Sequence, residues 1–452
     1  MNGARLAHLF FLLAVGPAAC KHDGGERATS PPPETCAVTL PPGEFAAAPF
    51  ATSPTPRSRV VALAELRLGN VQKELEKKIP TRLADEKNQD VGLAGHVNYT
   101  VDRGPFAARV EGERLLVETP LRGRAEICAS GRCYADCAPE ARATATIPLR
   151  LTPEYRFAPS KVNVTITRGC ELRALGGMVR VDVTGMIEPQ LRRRMGPIER
   201  EIDARMPDLR PQRMWEELVR PRPLPLGGCF LLRPLAIAQG PVSGTAEQLR
   251  VRFGVEAQPE LRAGSCDANA SAPPMPRLEH DPAMPSESDV HLALVSPVTA
   301  ATAALTATPT FDLRGSRARI ATADPRGARF ALGLRGEVCG PMGLDAGLRW
   351  SDDGGSLRFS AAKLVDPGGA VRAGALDWDA VARAVERDAA IQPLATPEQL
   401  RAALPALAAR IDDPDVAVQV TVESARAESA SLRSDGVVSV VALRGGLLVK
   451  EK

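Results

Sequence analysis

The sequence predicts an α+β fold built from two tandem units. Segments such as 97–102, 162–167 and 249–256 alternate apolar and polar residues, which is typical of antiparallel strands with one buried face. Other segments repeat apolar residues at steps of three and four, as amphipathic helices do. The order of these elements before residue 257 recurs after residue 288, which indicates two units of similar pattern.

The first predicted unit spans residues 58–256. Helices are predicted over 63–83 and 188–206, each with one apolar face. If the interior of the unit is open, a hydrophobic ligand would lie along these faces. The candidate ligand-lining residues are Val71, Leu75, Ile79, Leu191, Met195, Ile198 and Ile202. The same spacing is typical of an ordinary dry core, and the pattern alone does not separate the two interpretations.

The second predicted unit spans residues 289–452. It follows residues 257–288, a stretch rich in Pro, Ala and Asp that is predicted to be a linker. A strand and an Ala-rich helix come first, and short alternating strands follow them. A long helical region over 378–410 is interrupted at 393–397, where prolines occur, and two closing strands end the chain.

The N-terminus predicts export. Arg5 precedes a short apolar run over 6–15, and small residues stand directly before Cys20. Roughly ten apolar residues cannot span a bilayer core of about 30 Å, so residues 1–19 are predicted to be a signal peptide. The small residues are typical of a lipobox, in which Cys20 receives a diacylglycerol, although Pro17 stands where Leu is usual. The alternatives are secretion with Cys20 in a disulfide and an uncleaved anchor.

Residues 20–57 are predicted to be the lipidated cysteine and a flexible tether. The range 21–57 contains eight prolines, and as a coil it would reach about 35 Å. No later apolar stretch is long enough to cross a membrane, so the N-terminal lipid is the expected membrane attachment. We expect a bacterial envelope protein with its body in the periplasm or at the surface. Lys21 favours the outer membrane, because enteric inner-membrane lipoproteins carry Asp there.

The cysteine content favours disulfide bonds. The chain has nine cysteines, so a lipidated Cys20 leaves an even number, as expected for an exported protein. Eight cysteines allow 105 pairings, and their spacing does not choose among them. The candidates are Cys36, Cys128, Cys133, Cys137, Cys170, Cys229, Cys266 and Cys339. No metal site is predicted, because the C-x2-C element usual at zinc sites is missing.

Charge and motifs weigh against nucleic-acid binding and catalysis. The net charge of +3 is too small to indicate a nucleic-acid partner. The basic run at 192–194 is interpreted as a solvated helix face. No G-x-S-x-G or H-E-x-x-H motif occurs, and the histidines of the body are His96, His280 and His291. We therefore expect no cofactor and no enzymatic activity.

Several segments resemble a family of exported bacterial proteins, often lipoproteins, that carries a domain of unknown function. That family is similar to the tubular lipid-binding superfamily, which includes bactericidal/permeability-increasing protein. The resemblance runs from about Ser58 to the C-terminus. It depends on SRVVALAELRLGNVQKELEKKIP, HVNYTVDRGPFAARVEGERLLVETPLRGRAEI, RMW at 213–215, CFLLRP at 229–234 and FALGLRG at 330–336. It implies two elongated units, each a curled antiparallel sheet wrapped on a long amphipathic helix, with an apolar interior that admits lipid.

Three functions of different classes follow from these observations. The first is a membrane-tethered envelope lipoprotein that binds or handles a lipid or another hydrophobic ligand. The second is a non-catalytic structural or protein-interaction lipoprotein with solid cores. The third, an unrecognised enzyme, would gain support if His96, His291 and a carboxylate converged in one cleft.

Overall fold

The computed structural model describes residues 40, 45–50, 56–90, 95–130, 132–174, 179–205, 212, 215–216, 219–223, 228–267, 272–366, 377–408 and 416–451. The predicted signal peptide, Cys20 and Cys36 lie outside these residues.

A large, mainly antiparallel sheet of fourteen described strands dominates the structure. Its order is β11-β12-β13-β1-β15-β23-β22-β19-β18-β17-β16, and β14, β20 and β21 join from the side. The strands are β1 (Ser58–Arg67), β11 (Arg222–Pro223), β12 (Gly228–Gly244), β13 (Gln248–Ala263), β14 (Leu278–His280), β15 (Ser288–Ser296), β16 (Phe311–Leu313), β17 (Ser316–Arg326), β18 (Arg329–Gly336), β19 (Gly340–Trp350), β20 (Leu357–Val365), β21 (Ala390–Ile391), β22 (Val416–Arg433) and β23 (Gly436–Glu451).

A smaller sheet forms from the chain between β1 and β11. Its order is β2-β3-β5-β7-β8, and β4 and β6 both pair with the long strand β5. The strands are β2 (Arg82–Asp90), β3 (His96–Arg103), β4 (Ala107–Glu111), β5 (Arg114–Ala129), β6 (Arg132–Cys137), β7 (Glu140–Pro148) and β8 (Lys161–Arg168), with a separate pair of β9 (Glu171–Ala174) and β10 (Val179–Asp182).

The described helices lie on the sheets. They are α1 (Leu68–Lys78), α2 (Val183–Arg205), α3 (Val298–Thr306), α4 (Trp378–Asp388) and α5 (Pro397–Ala408). The break expected at 393–397 separates α4 from α5. Asp377 begins α4 as its N-cap, since its carboxylate accepts a hydrogen bond from the Ala380 amide. Of the described helices, none is both long enough and apolar enough to cross a membrane.

The predicted fold class is wrong, because the described structure is mostly β-sheet and does not contain a long amphipathic helix wrapped by a sheet. The predicted first helix begins late, since β1 continues to Arg67 and α1 is only 11 residues long. The predicted second helix contains Pro189 and Pro197 and packs beside β8 and β9. Its Ile198 is 46% exposed, so the apolar spacing does not mark a continuous buried face.

The two predicted halves share the large sheet. β1, from the first half, pairs antiparallel with β13 and parallel with β23 at the end of the chain. The range 257–288, expected to be a linker, contains the last residues of β13 and all of β14. β13 also pairs directly with β15 across this range. The described parts of this stretch therefore contribute strands to the large sheet, which contains strands of both halves.

Two apolar clusters pack against the large sheet at different places. The main core lies under α3, α4 and α5 and includes Phe330 and Phe359, whose rings meet edge to face at 5.9 Å. A junction cluster joins the two sheets through Leu68 of α1, Leu115 of β5 and Leu249 of β13. Burial of these side chains stabilises the contact between the sheets.

An N-terminal segment, residues 45–50, packs on the outer side of β17–β19, and we call it the strap. Phe45 is 4% exposed, and Ala48 exchanges backbone hydrogen bonds with Arg326 and Ala328. Gly327 permits this approach, because a Cβ there would lie 2.1 Å from the Ala48 carbonyl oxygen. The expectation of a flexible tether therefore does not extend to residues 45–50.

Arg103 fixes α1 to the smaller sheet. Its side chain is 4% exposed and forms an ion pair with Glu76. It also donates hydrogen bonds to the backbone oxygens of Glu76 and Ile79, at the end of α1. The guanidinium carbon lies 4.6 Å from the ring centroid of Phe106. These contacts satisfy carbonyl groups that a helix end leaves without intrahelical partners.

We expect the substitution Arg103→Met to lower the free energy of unfolding by about 3 kcal/mol, because buried carbonyl oxygens lose their donors. Urea denaturation followed by circular dichroism measures this loss. The matched control is Arg82→Met, which removes an exposed ion pair with Asp102 and should cost much less. Similar losses in the two variants would contradict this role for Arg103.

Candidate functional site

The centre of the large sheet has two chemically different faces. In β1, Ala62 is paired with Phe253 of β13 and with Leu447 of β23. Directly opposed residues point to the same side of a sheet, and the side alternates along each strand. The side chains of Ala62, Phe253 and Leu447 therefore share one face.

This face is entirely apolar across the three central strands. Residues two positions away from Ala62, Phe253 and Leu447 are again aliphatic, except Gly445, which has no side chain. We call the set of Val60, Ala62, Ala64, Phe253, Val255, Leu447 and Val449 the apolar face. Each of these residues is half-buried, unlike the nearly inaccessible side chains of the main core. The apolar face is thus a partly solvent-accessible hydrophobic surface.

The opposite face of the same strands carries charged side chains among apolar ones such as Val61 and Leu63. Glu65 pairs with Arg250 at 2.9 Å and with Lys450 at 3.9 Å. Arg59 pairs with Glu256 at 2.5 Å and with Asp281 at 3.3 Å. The pKa of Arg59 is raised, mainly because its guanidinium donates a hydrogen bond to Glu256. The contrast between the faces explains the alternating sequence of β13.

Apolar clusters border the apolar face at both of its ends, in the direction of the strands. At one end, Val251 and Leu66 continue the face into the junction cluster beneath α1. At the other end, Leu443 and Leu261 continue it into the main core. Between these ends the apolar face extends along β1 from Val60 to Ala64, which is about 13 Å at roughly 3.3 Å per residue.

A loop segment after β7 bounds the apolar face beside β12. Gln239 is paired with Phe253 and is only 2% exposed. Its side-chain amide accepts a hydrogen bond from the Leu151 N–H at 2.8 Å and donates one to the Leu149 oxygen at 2.9 Å. The polar group next to Phe253 is thus satisfied and does not disturb the apolar character of the face.

The predicted ligand-lining residues do not form one surface. Val71 and Leu75 pack at the edge of the junction cluster, and Ile79 is half-buried just after α1. Met195 and Ile202 are half-buried on α2, where Ile198 is exposed. Leu191 belongs to α2, but its side chain is outside the part of the chain that the structure describes. Helix α1 contacts β4, whereas α2 contacts β8 and β9, so the two sets face different strands.

Sequence periodicity missed the apolar face because its residues come from three distant segments. The β13 segment shows only the ordinary alternation of a half-buried strand, and the β1 segment 60–64 is a short continuous apolar run. The surface forms only through strand pairing, which brings residue 62 beside residues 253 and 447.

Disulfides are present, as predicted. The described pairs are Cys128–Cys133, Cys137–Cys170 and Cys229–Cys266. The first pair links neighbouring strands β5 and β6, and the third links the start of β12 to the segment after β13. Cys339 is also disulfide-bonded. Glu126 lies near Cys128 and Cys133, but the sulfur atoms of these cysteines are already joined to each other.

The histidines lie in separate environments. His96 is in β3 of the smaller sheet, whereas His291 is in β15 of the large sheet. His291 Nδ1 lies 2.6 Å from Glu428 Oε2, and its other ring nitrogen lies 3.7 Å from Asp289. His280 Nε2 lies 3.0 Å from the Leu151 oxygen. His96 and His291 therefore lie on different sheets.

Two surface depressions lie away from the apolar face. One, of about 360 Å³, has charged residues such as Asp102, Arg122 and Glu140 in its wall. The other, of about 650 Å³, lies on α1 beside Lys73 and Glu76. Both depressions are lined by charged side chains, whereas the apolar face has none.

These features define a β-rich, disulfide-bonded protein whose central sheet has one apolar and one charged face. The chain belongs to the family described as Domain of unknown function (DUF4403), which matches residues 56–450. No curated protein sequence matches the chain.

Among solved structures, the chain is similar to P47 of Clostridium botulinum E1. The two chains are 8% identical, and the alignment covers 86% of this chain and 98% of P47 with a TM-score of 0.20. A TM-score of this size does not establish a shared fold.

Proposed function

We propose that the protein is an envelope lipoprotein that binds the acyl chain of a lipid on the apolar face. The observation that carries this proposal is the half-buried, uncharged surface formed by β13, β1 and β23. Its opposite side carries ion pairs near both ends of β1, whereas the apolar face has no charged side chain.

The size and chemistry of the apolar face favour an acyl chain. One leaflet contributes about half of a bilayer core of about 30 Å, so an extended chain is about 15 Å long. Along β1 the apolar face is about 13 Å long, which is close to that length. Its side chains are mainly branched aliphatic or alanine, with Phe253 as the aromatic exception. Such a surface gains free energy from burying CH₂ groups, at about 0.8 kcal/mol for each one fully buried.

The N-terminal pattern supports a membrane as the source of this ligand. A diacylglycerol on Cys20 would hold the body close to a bilayer, and several acyl chains on one residue anchor stably. The resemblance of the sequence to the tubular lipid-binding superfamily points to the same ligand class. The outer membrane is the favoured location because of Lys21.

A structural or protein-interaction role is the second candidate. It is favoured by the main core, where Phe330, Leu332 and Leu334 of one strand are all at most 1% exposed. The main core is tightly packed, so it would give a protein partner a rigid body to bind. In this case the apolar face would be covered by another protein.

Native mass spectrometry of the protein purified gently from the envelope separates these candidates. The lipid-binding proposal expects a phospholipid or fatty acid bound at fixed stoichiometry, in addition to the covalent lipid on Cys20. A mass without bound lipid, together with no uptake of a fluorescent fatty acid, would contradict it. A constant protein partner in the same spectra would support the second candidate.

A further inference from the structure

Helix α1 carries two lysines that form no ion pair with any residue in the described part of the chain. Lys73 and Lys77 are both exposed, and they are four residues apart, so their side chains lie on the same side of the helix. The third lysine of α1 is compensated, because Lys78 pairs with Glu74 at 3.4 Å. One side of α1 therefore presents two positive charges that the protein does not neutralise.

The acidic residue between these two lysines is already engaged elsewhere. Glu76 forms an ion pair with the buried side chain of Arg103. Its other carboxylate oxygen accepts a hydrogen bond from the Phe106 N–H at 2.7 Å. The Phe106 hydrogen bond first, and then the Arg103 hydrogen bond, lower the pKa of the Glu76 carboxyl. Both carboxylate oxygens are thus held by the protein, and neither is left to compensate a lysine.

The two lysines border the depression of about 650 Å³ on α1. Gly69 leaves the helix side of this depression open, since a Cβ there would meet no atom within 4 Å. Phe106 lines the depression and also packs against the junction cluster. The depression therefore combines uncompensated positive charge with an apolar wall that continues into the junction cluster.

The junction cluster lies between this depression and the apolar face. Its members Leu66 and Val251 are half-buried and continue the apolar face. Ala64, at the end of the apolar face on β1, is five residues before Gly69, and five residues reach at most about 17 Å. One leaflet with its headgroups is about 20 Å thick. A phospholipid with its headgroup at the depression therefore still brings its acyl chains onto the apolar face.

We propose that Lys73 and Lys77 bind the phosphate of an anionic phospholipid whose acyl chain lies on the apolar face. This inference rests on the proposed function and adds the headgroup class of the ligand. The phosphate oxygens accept hydrogen bonds from both ammonium groups, and the opposite charges strengthen these bonds. A headgroup that carries its own cation, such as phosphocholine, repels the ammonium groups. The lysine pair therefore selects a headgroup with a net negative charge.

Titration with fluorescent lipids tests this site, and the full chain carries Cys20→Ala so that no covalent lipid contributes. The ligands are phosphatidylglycerol, phosphatidylcholine and diacylglycerol with the same labelled acyl chain. We expect the double variant Lys73→Gln/Lys77→Gln to bind phosphatidylglycerol about tenfold more weakly. Its affinities for phosphatidylcholine and diacylglycerol should stay the same. Diacylglycerol binding with an unchanged affinity for phosphatidylglycerol would overturn the headgroup site alone.

The matched control is the double variant Lys78→Gln/Lys87→Gln. It removes the same charge from two exposed lysines, of which Lys78 is on α1 and Lys87 is on β2. Its affinity for phosphatidylglycerol should equal that of the unsubstituted protein, and thermal unfolding checks the fold of both variants. Equal losses in the two double variants would show a general charge effect and would overturn the site.

Inorganic phosphate separates a lipid headgroup from a free anion. A large excess should displace little phosphatidylglycerol, because burial of the acyl chain supplies most of the affinity. Phosphate that binds as tightly as phosphatidylglycerol, with the same dependence on Lys73 and Lys77, would assign the site to a free anion and overturn the proposal. No binding of any of the three lipids would refute the proposed function, and this inference with it.

Discussion

Replacing Ala62 with tryptophan is expected to abolish the uptake of a fluorescent fatty acid, or to weaken it at least tenfold. Ala62 lies at the centre of the apolar face, between Phe253 and Leu447. An indole there occupies the surface with apolar atoms and adds about 150–250 Å² of ring that competes with an acyl chain. Because the side chain projects from a half-buried, partly open face, the fold should be kept. Fluorescence titration measures the affinity, and thermal unfolding checks the fold.

The matched control is Leu63→Trp. Leu63 is the next residue of β1 and is paired with Arg252 and Leu448, so its side chain points to the charged face. It is half-buried, as Ala62 is. Fatty-acid uptake in this variant should match that of the wild type. Equal uptake in both tryptophan variants would show that the apolar face is not the binding surface.

Replacing Cys20 with alanine is expected to move the protein from the membrane fraction to the soluble fraction. Alanine carries no thiol, so a diacylglycerol has no point of attachment. Loss of two or more acyl chains removes an anchor worth about 0.8 kcal/mol for each CH₂. The described fold should be unchanged, because Cys20 lies outside it. Cell fractionation with immunoblotting measures the distribution, and far-UV circular dichroism checks the fold.

Pro17→Leu is the control for the Cys20 variant. It restores the residue usual at that place in a lipobox and should leave the protein in the membrane fraction. A Cys20→Ala protein that stayed with the membrane would contradict lipidation at this residue. In that case a lipid on Cys20 would not be what holds the apolar face near a bilayer.

Local structure was the most predictable part of this chain. Prolines at 393–397 predicted the interruption between α4 and α5, because proline lacks the amide hydrogen that a helix interior needs. Alternation correctly indicated strands such as β3 and β13. The helices were less predictable. Residues 63–67 fit a helical pattern, yet they extend β1 between two partner strands, since tertiary pairing overrides weak local preference.

Long-range pairing could not be read from the sequence. The parallel contact between β1 and β23 joins residues 62 and 447, and no local pattern specifies such a register. The same is true of the strap, whose composition is typical of a tether. Phe45 nevertheless finds a buried place beside Gly343 on β19. The apolar face arises from the same pairing, so a prediction based on helix periodicity placed the candidate ligand surface on α1 and α2.

Photo-crosslinking with a diazirine fatty acid tests the central claim most directly. The protein is loaded, irradiated and digested, and the labelled peptides are identified by mass spectrometry. Binding on the apolar face predicts labels concentrated in β1, β13 and β23, near Ala62, Phe253 and Leu447, with loss of these labels in Ala62→Trp and their retention in Leu63→Trp. Labels confined to α1 or α2, or no specific label, would contradict the proposed binding surface.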